Sequence, residues 1–187
     1  HINSLYVDSN NNVILSMRTI DMVASINRDT EELNWVLSHK AMDYESTKDY
    51  ALELVNTWNK EEFSYFLGQH SVVTDYDNNL YIFDNGMNRD KYSKQENNYS
   101  RVLKYKIDTQ VKKTFLLSSY KHPREIYTPF SWNVILLENG GMLIWYTVNV
   151  WDGIHLVQTD AQDNIILEIA EKSKKRDYRV INIDITI

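Results

Sequence analysis

The chain has 187 residues, 43% of them hydrophobic and 12% aromatic, and a formal net charge of −6. That composition supports a buried core and excludes a disordered or low-complexity chain. The acidic balance, with no basic run beyond Lys172–Arg176, excludes the basic face that nucleic acid requires. Cysteine is absent, so there is neither a disulfide framework nor a thiolate metal site. No apolar run approaches the roughly 20 residues that span a bilayer, and the first residues lack the basic and apolar regions of a signal peptide.

From the start of the chain, Asn/Asp-rich turns separate short β-rich runs. Asp8-Ser9-Asn10-Asn11-Asn12 and Asn27–Glu32 bound strands expected near Ser4–Val7, Val13–Arg18, Met22–Asn27 and Leu33–Leu37. Between this unit and the next, Ala51, Leu54, Val55 and Trp58 fall at helical spacing, with Ser46 and Asp49 able to form a capping box, which predicts one helical insertion over about 47–59. A second unit follows, with turns at Asp75–Asn79 and Asp108–Gln110 and strands near Ser71–Thr74, Leu80–Phe83, Ser100–Ile107 and Lys112–Ser118. A third uses Glu138–Gly141 and Asp160–Asn164, with strands near Trp132–Leu136, Met142–Thr147, Gly153–Thr159 and Ile165–Ala170. Arg179–Ile185 reads as one further strand.

Four short antiparallel strands repeated at this spacing predict an all-β fold of propeller blades, about 1–40, 68–120 and 128–171, with an extra strand at 178–187. A β-sandwich is the alternative.

The hairpin of the second unit concentrates the chemistry. His70 enters its first strand and Asp84-Asn85-Gly86 leaves its second, so both segments end on the same side of the sheet, where they can meet beside Arg89. Gln69-His70, then Phe83–Gly86 with Arg89, then Ser100-Arg101 leading to Tyr105 and Ile107-Asp108, resemble in order the motifs of the bacterial arylsulfate sulfotransferases. His1-Ile2-Asn3-Ser4, followed by Arg18 and Trp35, resembles that family's His-x-Asn-Ser element.

The resemblance implies a six-bladed propeller that moves a sulfuryl group from an aryl sulfate to a phenol through a sulfated histidine, without a nucleotide donor and outside the cytoplasm. A chain that opens on His1 inside a motif is then expected to be the C-terminal part of a longer protein, a partial propeller whose open edges invite pairing with missing blades or a second copy.

Sulfuryl transfer needs a nucleophile that is also a leaving group, together with cations around the non-bridging oxygens. Imidazole and arginine meet both needs, and no metal or other cofactor is required. His70, Arg89, His1 and His155 are therefore the expected catalytic residues, with Arg18, Asn85, Trp145 and Tyr146 at the substrate. Arg101 is read as structural, His122 as part of an interblade loop, and His39 as a solvated loop residue.

Two departures from the family pattern stand out. The aspartate after Gln-His is Ser71 here, which removes a carboxylate that could fix the imidazole tautomer. Trp145 and Tyr146 stand where the nucleophilic histidine of a later blade is expected. These leave a second reading open, a non-catalytic propeller that binds an aromatic anion, a surface polymer or a protein.

Overall fold

The computed structural model describes residues 1–55, 63–91, 98–130, 133–147 and 153–171. The first sheet is an antiparallel meander of β1 (Ile2–Val7), β2 (Asn12–Met17), β3 (Met22–Asn27) and β4 (Leu33–Leu37). A short strand, β5 (Glu53–Val55), precedes the second meander of β6 (His70–Thr74), β7 (Leu80–Asp84), β8 (Arg101–Asp108) and β9 (Lys113–Lys121). The third contains β10 (Val134–Leu136), β11 (Met142–Thr147), β12 (Ile154–Thr159) and β13 (Ile165–Glu171).

The hairpins share one local device. Asp8, Asp75 and Asp160 each accept, through Oδ1, the backbone N–H of the residues two and four positions on, and through Oδ2 the amide of Asn12, Asn79 or Asn164. The residue between those two donors is left-handed in every case, with φ of 62° at Asn11, 59° at Asn78 and 64° at Asp163. Asn and Asp tolerate that conformation and bond their own backbone, which is how an all-β chain manages with five glycines.

The first strands of the three sheets lie beside one another, β1 against β6 and β6 against β10. Serines stitch them together. Ser4 Oγ accepts the N–H of Val72 at 3.2 Å, while Ser71 Oγ accepts that of Val134 at 3.2 Å and donates to Asn133 Oδ1 at 2.6 Å. Strand alternation then divides the middle sheet between two cores. Leu80 and Ile82 face the first sheet with Ile14, Val23 and Trp35, whereas Phe83 faces the third with Val134, Ile144 and Tyr146. Meanders stacked face to face about their first strands are consecutive blades, and the protein is a partial β-propeller. The faces of the first and third blades turned away from the middle one keep Leu5, Val7, Leu167 and Ile169 exposed.

The helix expected over about 47–59 does not form in its described part. A single 3-10 turn, Lys48–Tyr50, leads instead into β5, which pairs parallel with the outer strand β9. Leu52 N–H also bonds Val36 C=O at 2.9 Å, so the segment straps the outer edge of the first blade to that of the second. The apolar side chains at helical spacing serve this strap: Leu52 and Leu54 join the first core and Ala51 packs near Val36. Residues 56–59, the strand expected at Arg179–Ile185 and the basic run at Lys172–Arg176 lie outside the described residues.

Asp84, the last residue of β7, is fully buried. Its Oδ2 accepts from Arg89 Nη2 at 2.8 Å and Arg101 Nε at 2.9 Å, and its Oδ1 from the N–H groups of Leu67 and Gly86, each at 2.9 Å. Burial alone would raise this carboxyl, but the two guanidinium groups and the Leu67 N–H outweigh it and hold it below the usual carboxylate range. Gly86 is required beside it: φ is +72°, and a Cβ there would lie 2.2 Å from Tyr99 O.

Asp84→Ala should therefore destabilise the protein by about 3–5 kcal/mol, because it leaves buried guanidinium groups without their carboxylate; urea unfolding measures this. Since the folded carboxyl titrates below its unfolded value, its contribution is present above about pH 4 and is lost as pH falls through the lower folded value. Gly86→Ala should cost at least about 1–2 kcal/mol from left-handed strain alone, and a thermal melt reads it.

Candidate functional site

His70 is the first residue of β6. The β6–β7 register breaks between His70 and Val72, and Ser71 in the break has φ of +47°, which marks a β-bulge. The bulge sends Ser71 toward Asn133 on the third blade and His70 toward the loop that follows β7. There His70 Nδ1 lies 2.8 Å from Asn85 Oδ1. The meeting expected from the hairpin geometry is thus observed, and the departure at position 71 has no bearing on the ring, because that side chain points elsewhere.

Asn85 is fully buried and anchored beyond the histidine. Its Nδ2 donates to Thr128 C=O at 2.7 Å, and its own C=O accepts from Ser100 Oγ at 3.0 Å. Ser100 Oγ also accepts Thr128 N–H at 2.9 Å, so the serine of the Ser-Arg element pins the loop after β9 against the Asn85 turn. That loop continues through Pro129 and Phe130 to Arg18, which stands in the short turn after β2. Arg18 Nη2 donates to Pro129 C=O at 3.1 Å, and the guanidinium lies 5.3 Å from the Phe130 ring centroid. The first blade thus contributes Arg18, the second His70 and Asn85, and the connection to the third Thr128–Phe130.

Burial pushes the half-buried His70 below the usual imidazole value; its bond to Asn85 opposes this and the charge of Arg18 reinforces it. The ring is neutral at pH 7. Against Arg18 opens a pocket of about 260 Å³, lined also by Asp21, Lys40, Leu67, Met87 and Lys91; His70 is not part of its lining. Asp21 there is already engaged, accepting from Lys40 Nζ and from Gly68 N–H, each at 2.7 Å, so the remaining charge is positive. Gln69 acts as a fastener: its Nε2 donates to Met22 C=O at 2.9 Å and its C=O accepts from Asn3 Nδ2 at 2.7 Å.

Other expected site residues stand apart. Arg89 is fully buried in its pair with Asp84 and lies over the Tyr99 ring at 4.5 Å, with none of its surface open to a ligand from solvent. Arg101, read as structural, shares that carboxylate. Tyr146 is buried between the second and third blades, 5.6 Å from Phe83 by ring centroids, while Trp145 is half-buried on the opposite face of the third sheet. His1 is exposed at the start of β1.

His155, on β12, has Nδ1 3.3 Å from Glu168 Oε1 and 3.5 Å from Arg124 Nη2, on the outer strands of its blade. His122 joins them; burial, then Arg124 and His155, push it down to about 4. His39 is half-buried against Phe63 and Tyr65 rather than solvated. Among the described residues no group of three His, Asp or Glu side chains is placed to hold a metal ion, and no helix is long and apolar enough to cross a membrane.

Sequence reasoning gave Asn85 to the substrate and missed what it does with its two ends. The available signal was its place after Asp84 in a turn opposite His70.

The sequence model of the Arylsulfotransferase (ASST) family matches residues 1–186, and the chain belongs to that family. No curated protein matches it. Among solved structures it is similar to a protein of unknown function from Bacteroides caccae, at 10% identity and a TM-score of 0.41, covering 94% of this chain and 69% of that one. It is also similar to virginiamycin B lyase from Staphylococcus aureus, at 11% identity and a TM-score of 0.38, covering 89% of this chain. The chain spans about half the length of that lyase, 54%.

Tyr146→Phe provides a check on the burial of that side chain. Among the described residues its buried hydroxyl has no hydrogen-bond partner, so its removal should leave stability unchanged or raise it by up to about 1 kcal/mol, as read by urea unfolding.

Proposed function

We propose that this chain forms part of the catalytic mouth of an arylsulfate sulfotransferase, moving a sulfuryl group from an aryl sulfate to a phenolic acceptor, with His70 at the reacting centre. The observation that carries the reading is an imidazole anchored by Asn85 and lying within the field of Arg18, a cation from another blade that itself lines an open pocket of net positive charge. A neutral imidazole attacks sulfur, the bond from sulfur to the aryl oxygen breaks, and a phenolate leaves. Attack by the acceptor oxygen on the same sulfur returns the imidazole. Arg18 supplies positive charge to the non-bridging oxygens, the part that the buried Arg89 does not take. No nucleotide donor is involved. Family membership supports an extracytoplasmic setting.

The competing reading, a propeller that binds an aromatic anion without turnover, is favoured by one observation: Trp145 and Tyr146, not a histidine, occupy the end of β11.

The test is transfer from p-nitrophenyl sulfate to phenol, followed by released nitrophenolate and by mass spectrometry for a sulfuryl adduct. Transfer is expected, with His70→Ala lowering kcat by at least about 10²-fold and Arg18→Ala lowering it less. kcat/KM should rise with pH through a midpoint below 6.5, since burial and Arg18 keep the proton off His70 until the solution is more acidic than usual. Binding of the aryl sulfate with no transfer and no adduct would leave the binding module.

A further inference from the structure

We propose that the groove between the first two blades is a binding site for a neutral oligosaccharide, separate from the histidine and independent of sulfuryl transfer. His70 begins β6 and Thr74, which lines the groove, ends it, so the two sites lie at opposite ends of that strand. The larger chamber of the groove holds about 380 Å³, within the roughly 300–1,000 Å³ of small-ligand sites. Asn12 and Asn34 line it from the first blade, and Asn78 and Thr109 from the second. Its floor is Ile14, Trp35 and Leu80, which also belong to the first core and are rigidly packed there. A second chamber of about 200 Å³ shares Asn34, Trp35 and Thr109 with the first and runs on to Tyr50, which is 41% exposed.

A gap between neighbouring blades is a consequence of the fold, and one of about 320 Å³ recurs between the second and third. The lining is what differs. There, Lys104 and Asp163 put charge on the walls, and Met142 takes the place that Leu80 has at the start of its strand. Between the first two blades neither lysine nor arginine lines the larger chamber. Its one carboxylate, Asp8, is spent on its own turn, accepting the N–H groups of Asn10 and Asn12 and the Asn12 amide.

The amides are turned by their partners. Asn34 Nδ2 donates to Asn12 Oδ1 at 3.0 Å and to Ser25 Oγ at 3.2 Å, which leaves Asn34 Oδ1 as an open acceptor. Asn78 Oδ1 accepts from Ser9 Oγ at 2.7 Å, which leaves the Asn78 NH2 group as an open donor. One blade thus offers an acceptor and the other a donor, across an apolar floor. A sugar hydroxyl donates and accepts at once, and the C–H face of the ring is apolar, so a ring seated on Ile14 and Leu80 satisfies both walls. An anion would meet no cation in this chamber, and a purely apolar ligand would strip water from the amides without replacing their bonds. In the second chamber Tyr50 gives a further ring an aromatic surface, beside Asp49 and Lys112, whose charges are of opposite sign. The ligand is therefore a chain of sugars rather than a single ring.

The test is a titration of the ¹⁵N-labelled protein with maltotriose, cellotriose and triacetylchitotriose at millimolar concentrations. The Trp35 indole and the Asn34 and Asn78 side-chain amides are expected to shift and saturate with at least one of the three. The side chains of Asn10 and Thr109 line the groove and bond nothing among the described residues, so replacing them leaves the fold intact. Asn10→Ala and Thr109→Val should each weaken binding by about fivefold. No shift at these three residues with any of the trisaccharides would overturn the proposal. So would an affinity unchanged in both variants, or p-nitrophenyl sulfate moving the same signals as strongly as the sugar does. Sugar binding in a protein without sulfuryl-transfer activity would uphold this site and count against the transferase reading alone.

Discussion

The carboxylate of Asp84 between Arg89 and Arg101 is the constraint on which the rest of the structure depends. A fully buried ionised group is tolerated only when its partners satisfy every lone pair, and here two guanidinium groups and two backbone N–H groups do so. The partners come from three pieces of chain. Arg89 fixes the turn after β7, Arg101 fixes the start of β8 and, through Tyr65 C=O at 3.0 Å, the segment before β6, and the Leu67 N–H holds the approach to His70. The Phe-Asp-Asn-Gly and Ser-Arg elements are therefore scaffold first. Asp84 sets the course of the backbone, and Asn85, one residue on, inherits a rigid place from which to address the histidine.

The site depends equally on how blades meet. Arg18 comes from the β2–β3 turn of one meander, His70 from the start of the next, and the loop that joins them from the approach to a third. Serines 4 and 71 fix the spacing of the first strands, and Gln69 ties the histidine's own backbone to the first blade. Short polar side chains at successive positions thus set the distance between groups that are 52 residues apart in one case, Arg18 and His70, without any disulfide.

Much of the fold was legible because its signals are local. Asp-x-x-x-Asn turns and period-2 runs place the strands, and the same reasoning put His70 and Asn85 at one end of one hairpin. What was not legible depended on long-range packing. The spacing of Ala51, Leu54 and Val55 reads as helical, yet the exposed parallel edge of β9 offers backbone partners that an isolated short helix cannot match. Ser71 reads as a lost carboxylate until the bulge at its positive φ shows where it points. Arg89 reads as a sulfuryl ligand because nothing in the local sequence says that Asp84 is fully buried. In each case a tertiary contact decided a role that residue type alone left open.

The strap formed by β5 also orders the way the chain can assemble. Glu53 pairs with Lys113, about 60 residues later, and the edge it joins does not exist until β8 and β9 have paired. The closure entropy of so long a loop is paid for three residue pairs. The strap can therefore dock only once the outer hairpin of the second blade has formed, and it tethers the outer rims of the first two blades through three backbone pairs and the buried Leu52. The inner rim, where the histidine sits, is held by hydrogen bonds that do not pass through it.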